Sequence, residues 1–147
     1  MFHIEKMQES MRGEVLPMVL EFYHSDAVCH PVEDAVLERT FADAVSEDPV
    51  LEGHVLMEDD KIVGFGYTTI FYACEVGGRC MMFEELYLKE ETRGKGYGSH
   101  FFREMMEQHP EVVRFRLEVT RSNEAAVRLY ERLGFKFLEY DQMILDR

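Results

Sequence analysis

The spacing of apolar positions changes several times along the chain, and each change marks an element. Residues 2–7 (Phe-His-Ile-Glu-Lys-Met) read as a first strand. Val15, Leu16, Val19, Leu20 and Tyr23 then recur at helical spacing. They predict a helix from a Ser10 cap to about His24, with Pro17 in its first turn or at a kink. Pro31 is placed to open a second helix whose apolar face is Val32, Val36, Leu37, Phe41, Ala44 and Val45, and Asp48-Pro49 ends it. The period then changes. Leu51–Met57 and Ile62–Cys74 are predicted strands joined at Asp59-Asp60-Lys61, and Val76-Gly77-Gly78 turns the second into a third, Cys80–Lys89. A glycine-rich loop, Thr92–Gly98, leads into a helix at Ser99–Gln108, stopped by Pro110. Val113–Val119 is the next strand. Asn123–Leu133 is a helix closed by Gly134, and Phe135–Leu145 makes one last strand or a pair.

The predicted order is β-α-α-β-β-β-α-β-α-β. Hairpin strands followed by strand–helix–strand–helix–strand make an α/β fold with a mixed, mostly antiparallel sheet and helices on its faces. A length of 147 residues is that of a single domain, 1–147. With 46% hydrophobic residues the chain is too apolar for disorder, yet no apolar run approaches the ~18 residues of a membrane span. No secretory signal is visible, and three cysteines (Cys29, Cys74, Cys80) are no disulfide framework. Both point to a cytoplasmic protein without a membrane partner.

Charge changes the picture more. The net charge of −13 argues against nucleic acid as a partner, because phosphate binding needs a basic face. Residues 1–60 hold 15 acids against 3 bases, a net −12, whereas residues 61–147 hold 14 against 13. Such an acidic half is a solvated surface or faces a cationic ligand. His24, Cys29 and His30 lie close together, but their spacing is no standard zinc pattern and no second cluster accompanies them, so no metal is expected.

The loop Arg93-Gly94-Lys95-Gly96-Tyr97-Gly98 lies between a strand and a helix. At such a junction free amides and the helix dipole converge on one spot, and glycines let the main chain approach a ligand. Phosphate is the natural guest, with Arg93 and Lys95 as charge partners. The loop lacks the Gly-Lys-Ser/Thr ending of a Walker loop, and its G-x-G-x-G spacing is not the dinucleotide fingerprint.

This loop resembles the cofactor motif Gln/Arg-x-x-Gly-x-Gly/Ala of the GNAT superfamily of acetyl-CoA-dependent N-acetyltransferases. Glu85-Leu86-Tyr87-Leu88 before it is similar as well, although Glu90 replaces a frequent proline. The family's second motif is matched by Asn123-Glu124-Ala125-Ala126-Val127-Arg128-Leu129-Tyr130 with Leu133-Gly134-Phe135. The resemblance is strong over residues 80–137. It implies a GNAT fold in which residues 1–79 shape the acceptor side and residues 80–137 bind acetyl-CoA as co-substrate, and it leaves room for a homodimer. The contacts it implies are Leu86, Tyr87 and Leu88 on the strand, Arg93, Gly94, Lys95, Gly96, Tyr97, Gly98 and Ser99 in the loop, and Asn123. In such enzymes the central strands splay apart, here Cys80–Lys89 and Val113–Val119, and the pantetheine arm fills the gap like a short strand.

Acetyl transfer to an amine needs a base, because a lysine-like ammonium has a pKa near ~10.4. It also needs a donor for the thioester oxygen and benefits from an acid for the leaving thiolate. Glu84 and Glu85 are the base candidates. Neighbours on a strand point to opposite faces, so at most one faces the cleft. Glu84 shares parity with Leu86 and Leu88 and matches the proposed base of diamine acetyltransferases; Glu85 is second, and a water-relayed base elsewhere is the alternative. Tyr130 is the acid candidate by resemblance, although Val127, Tyr130 and Leu133 share helical spacing and read as core. Asn123 is a helix cap or a cofactor contact. With no motif cysteine or serine as nucleophile, direct attack in a ternary complex is expected. The acidic half suggests a small cationic amine as acceptor. A protein lysine or N-terminus, and a non-catalytic acyl-CoA-binding regulatory module, are the alternatives.

Overall fold

The computed structural model describes residues 1–48 and 50–147. Pro49, assigned above to the end of the second helix, lies outside them. The elements are β1 (Phe2–Lys6), α1 (Arg12–Tyr23), α2 (Asp34–Ala44), β2 (Glu52–Glu58), β3 (Lys61–Ala73), β4 (Gly78–Leu88), α3 (Tyr97–Gln108), β5 (Val112–Leu117) and α4 (Glu124–Arg132). Single 3₁₀ turns precede α1 and follow β4. The five strands form one sheet in the order β1-β2-β3-β4-β5. The first four pair antiparallel, and β5 lies parallel to β4. The mixed, mostly antiparallel sheet of the sequence reading is therefore present.

Alternating side chains build a core on each face. Met7, Val15, Val19, Leu37, Phe41, Val55, Phe65 and Tyr87 join the sheet to α1 and α2. Leu56, Val63, Met81, Phe83, Phe101, Phe102 and Met105 join it to α3, with Leu129 and Tyr130 of α4 at the margin. Aromatic rings dominate the second core. Phe83 meets Phe102 edge-on at 4.6 Å, and Phe102 meets Tyr130 at 5.5 Å, both geometries that rings prefer.

Three expectations need correction. Ser10 is not a cap: it sits within the 3₁₀ turn Glu9–Met11, and α1 begins at Arg12. Pro31 does not open α2, which starts three residues later after an extended Glu33. The predicted strand or pair at Phe135–Leu145 is not formed. Phe135 packs into the second core and its amide donates to the Tyr130 carbonyl, but residues 136–147 carry no helix or strand. A strand exists only through its partner, and nothing pairs with β5 on its outer edge among the described residues.

Close approach of α3 to β3 depends on Gly66, where an added Cβ would lie 2.6 Å from the buried ring of Phe101. Gly66→Ala is expected to destabilise the protein by ~1–3 kcal/mol through overpacking. Thermal unfolding should show this, with part of the loss recovered in Gly66→Ala/Phe101→Leu. Strictly additive effects of the two changes would contradict the contact.

Candidate active site

A β-bulge sets the geometry. In the β3–β4 ladder Tyr67 faces Glu85 and Thr68 faces Phe83, so Glu84 is an extra residue with no partner. The bulge breaks the alternation on which the parity argument above relied. Met81 and Phe83 face α3, and so do Leu86 and Leu88. Glu85 and Tyr87 face α1 and α2. Glu84 is left exposed, its Oε1 accepting from the Thr69 hydroxyl at 3.2 Å.

Glu85 is the carboxylate taken out of water. The hydroxyl of Tyr23, at the end of α1, donates to its Oε1. Its Oε2 is buried with no hydrogen-bond partner, as is the hydroxyl of Tyr67 directly across the ladder. Burial pushes the Glu85 carboxyl up to about 7, against the opposing bond from Tyr23. The Glu84 carboxyl, though exposed at the surface, is also raised, by partial desolvation and by the nearby Glu118 carboxylate, against the bond from Thr69. The phenols of Tyr23 and Tyr67 are raised by burial and by the nearby Glu85, so both stay protonated at neutral pH. Sequence reasoning placed Tyr23 only on an apolar helix face and did not single out Tyr67. What joins them to Glu85 is register, which periodicity does not carry.

On its other side β4 opens. Its pairing with β5 stops at Phe83–Leu117, yet β4 runs on to Leu88. The Lys89 amide donates back to Val63, so by ladder alternation residues 85 and 87 bond toward β3, while Leu86 and Leu88 turn their main-chain groups to the open side. An added strand-like ligand could bond there.

The open edge runs into the glycine loop. Gly94 has φ 77° and Gly96 φ 83°, and an added Cβ at either would meet nothing within 4 Å. These glycines thus serve backbone conformation and leave open space in front of the loop. Gly96 is the N-cap of α3 and no side chain caps the helix, so the amides of Tyr97, Gly98 and Ser99 lack intrahelical partners. Both cations of the loop have a partner within the chain. Lys95 Nζ lies 2.8 Å from Glu58, to which Tyr97 also donates, and Arg93 Nε donates to the Leu88 carbonyl at 2.9 Å. An uncapped helix start, a positive-φ glycine loop and an unpaired strand edge together fit a long acyl carrier with a phosphate group at one end.

Tyr130 lies on the other face, against Phe102 and Phe135, and burial raises its phenol. It shares no side-chain cluster with Glu85; the two flank the parting of β4 and β5 from opposite faces. Asn123 is the cap of α4, its Oδ1 accepting from the Ala126 amide at 3.3 Å. Among the described residues no group of three or more His, Cys, Asp or Glu side chains is placed to hold a metal ion, and no helix is long and apolar enough to cross a membrane.

This arrangement is that of an acyl-carrier-dependent transferase. The chain belongs to the acetyltransferase (GNAT) family, whose model matches residues 16–135, and it is an acetyltransferase of that family. It is 27% identical over 143 residues to the thialysine N-epsilon-acetyltransferase of Mus musculus, covering 89% of this chain and 82% of that protein. The Sus scrofa protein of the same name is 29% identical over 147 residues, with coverages of 92% and 84%. Among solved structures, a possible acetyltransferase from Clostridium difficile 630 superposes with a TM-score of 0.83 at 17% identity, covering 99% of this chain and 97% of that one. An aminoglycoside N-acetyltransferase, AAC(6')-Iy, solved in complex with CoA, gives 0.79 at 14%, with coverages of 100% and 95%.

Two outcomes follow. Gly96→Val forces a β-branched residue to positive φ and puts a side chain into the open space, so CoA binding measured by calorimetry should be lost while the variant stays folded. Unchanged affinity would contradict the loop's role. Glu85, with a folded-state pKa raised to about 7 from an ordinary 4.5, favours folding fully below 4.5, and that contribution is lost as pH rises through 7. Glu85→Gln cannot ionise. It should therefore melt above wild type at pH 8 and no higher than wild type at pH 4; a pH-independent difference would contradict the desolvated carboxylate.

Proposed function

We propose that this protein transfers the acetyl group of acetyl-CoA to the amine of a small cationic acceptor, by direct attack in a ternary complex. The carrying observation is the Glu85 carboxyl, buried beneath α1, held by Tyr23 and raised to about 7 by burial. A base poised near the working pH can take the proton that an ammonium must lose. The unpartnered Glu85 Oε2 and Tyr67 hydroxyl offer an ammonium an acceptor pair in a place poor in water. Glu84 adds a second, exposed negative charge one residue away.

Acetyl-CoA supplies the activated thioester. The residues fitted to hold it are Leu86 and Leu88, through the open edge of β4, and the amides of Tyr97, Gly98 and Ser99, with Gly94 and Gly96 leaving room. Tyr87, Arg93, Lys95 and Asn123 support this cradle rather than point into it: Arg93 fixes the Leu88 carbonyl, Lys95 ties the loop to β2, and Asn123 caps α4. The Tyr130 hydroxyl, kept protonated by burial, serves as the acid for the departing thiolate. Direct attack is supported by the cysteines. Cys80 is buried with its thiol pushed up, which is the opposite of an activated nucleophile.

The acceptor class rests on charge and on kinship. The −12 of residues 1–60 favours a cation, and the curated relatives from mouse and pig are named for acetylating the side-chain amine of thialysine. The test is acetyl-CoA turnover, followed as release of free CoA, over diamines, thialysine, aminoglycosides and lysine peptides. A small cationic amine should be the best acceptor, with kcat/KM rising with pH to a bend near 7 as Glu85 ionises. Glu85→Gln should lower kcat by ~10²–10⁴ with CoA affinity kept, Glu84→Gln by much less, and Tyr130→Phe by ~10–10³. An anionic best acceptor would overturn the acceptor class, and an unaffected Glu85→Gln would overturn the base. CoA binding without turnover of any amine would make the protein a binding module.

A further inference from the structure

We infer that Glu58, at the end of β2, is the positioning residue of the glycine loop: through Lys95 and Tyr97 it holds the loop in the shape that receives the phosphate of CoA. This role rests on the loop being the carrier's cradle, as proposed above. It falls to a carboxylate 37 and 39 positions before the two residues it holds. Glu58 stands on a rigid part of the sheet. It is the last residue of β2 before the turn at Asp59-Asp60, and it is paired on both sides, with Phe2 of β1 and with Lys61 of β3. Leu56 packs into the α3 core, and by alternation Glu58 leans to the same face, toward the start of that helix.

One carboxylate oxygen makes both tethers. Glu58 Oε1 accepts from Lys95 Nζ at 2.8 Å and from the Tyr97 hydroxyl. The same two bonds hold the carboxyl below its ordinary value, so it stays ionised and both bonds are charge-assisted. Lys95 and Tyr97 flank Gly96, which has φ 83°. Glycine is the residue most free to move, and here its neighbours on both sides are fixed to the sheet. Tyr97 is held a second time, its ring stacked on Phe2 at 4.1 Å and 9°.

The carboxylate reaches side chains and spares the main chain. Among the described residues no side chain caps α3, so an acidic group stands close to the helix start without occupying its amides. A bare negative charge beside an anion cradle would oppose the guest, and the Lys95 ammonium offsets it in place. What Glu58 then contributes is order. A loop already ordered in the free protein loses less freedom when the ligand arrives, and binds more tightly for it. An exposed ion pair adds little to global stability, so the effect belongs to the loop and not to the melt.

The test is CoA affinity of the full-length protein by calorimetry. Glu58→Ala, which removes both tethers, should weaken CoA roughly tenfold, the effect of freeing two side chains, with thermal unfolding near wild type. It should also speed hydrogen exchange of the His100 amide, which donates to the Gly96 carbonyl. In turnover the loss should appear in KM for acetyl-CoA, with kcat kept. Glu58→Gln keeps an acceptor oxygen at the same reach and loses the charge, so it should retain most of the wild-type affinity. Tyr97→Phe, which keeps the ring on Phe2, should weaken CoA in the wild type and add little in Glu58→Ala. Glu58→Ala binding CoA as tightly as wild type, or more tightly, overturns the inference. So does Glu58→Gln falling as far as Glu58→Ala, which would make charge and not position the cause. A wild type that binds no CoA overturns instead the reading of the loop as a cradle, and the role of Glu58 with it.

Discussion

One extra residue in β4 organises this site. Without the bulge at Glu84, strict alternation would send Glu85 to the α3 face and Leu86 toward α1. With it, the strand keeps Met81, Phe83, Leu86 and Leu88 on one core and still delivers a carboxylate to the other. A charged group gains a desolvated position without disturbing the aromatic packing on the far side. The same strand then outruns β5 and exposes the main chain of Leu86 and Leu88. The desolvated carboxylate and the open main-chain edge are thus two aspects of five consecutive residues, 84 to 88, and their separation is fixed by backbone geometry rather than by loops.

Burial supplies the electrostatics. Desolvation raises Glu85, and the Tyr23 hydroxyl, itself kept protonated by the same burial, moderates that rise instead of cancelling it. The result is a carboxyl that titrates in the neutral range beside an unpartnered phenol. On the other face, Phe102 and Phe135 bury Tyr130 by packing alone. The acidity of the first sixty residues adds a long-range bias toward cations, while local placement decides which carboxylate is desolvated.

Much of this was legible in the sequence. Helical spacing found α1, α2, α3 and α4, and the glycine triplet marked a tight strand-to-helix loop, in which Gly94 and Gly96 take positive φ. Gly134 and Asn123 were readable as helix punctuation, and both take those roles. The assignment between Glu84 and Glu85 was not legible, since periodicity assumes an unbroken alternation and a bulge leaves no mark in composition. Tyr23 and Tyr67 were hidden for a related reason: they lie 62 and 18 positions from Glu85 and meet it only through helix docking and strand register. Charge beside a glycine loop suggests Arg93 and Lys95 as phosphate partners; what spacing does not reveal is that Lys95 pairs with Glu58 and Arg93 Nε donates to the Leu88 carbonyl. The last strand failed because a strand needs a partner as well as a pattern, and residues 136–147 pair with none among the described residues.

The central claim is that the bulge makes Glu85 a desolvated carboxyl of near-neutral pKa. The direct measurement is a carbon-13 NMR titration of the glutamate carboxyls in the free protein, with the Glu85 resonance assigned by its absence from Glu85→Gln. A midpoint near 7 that falls further above its neighbours is the result this structure requires, and Tyr23→Phe, which removes the bond to the ionised form, should move it higher still. A Glu85 midpoint in the ordinary range near 4.5 would contradict the account.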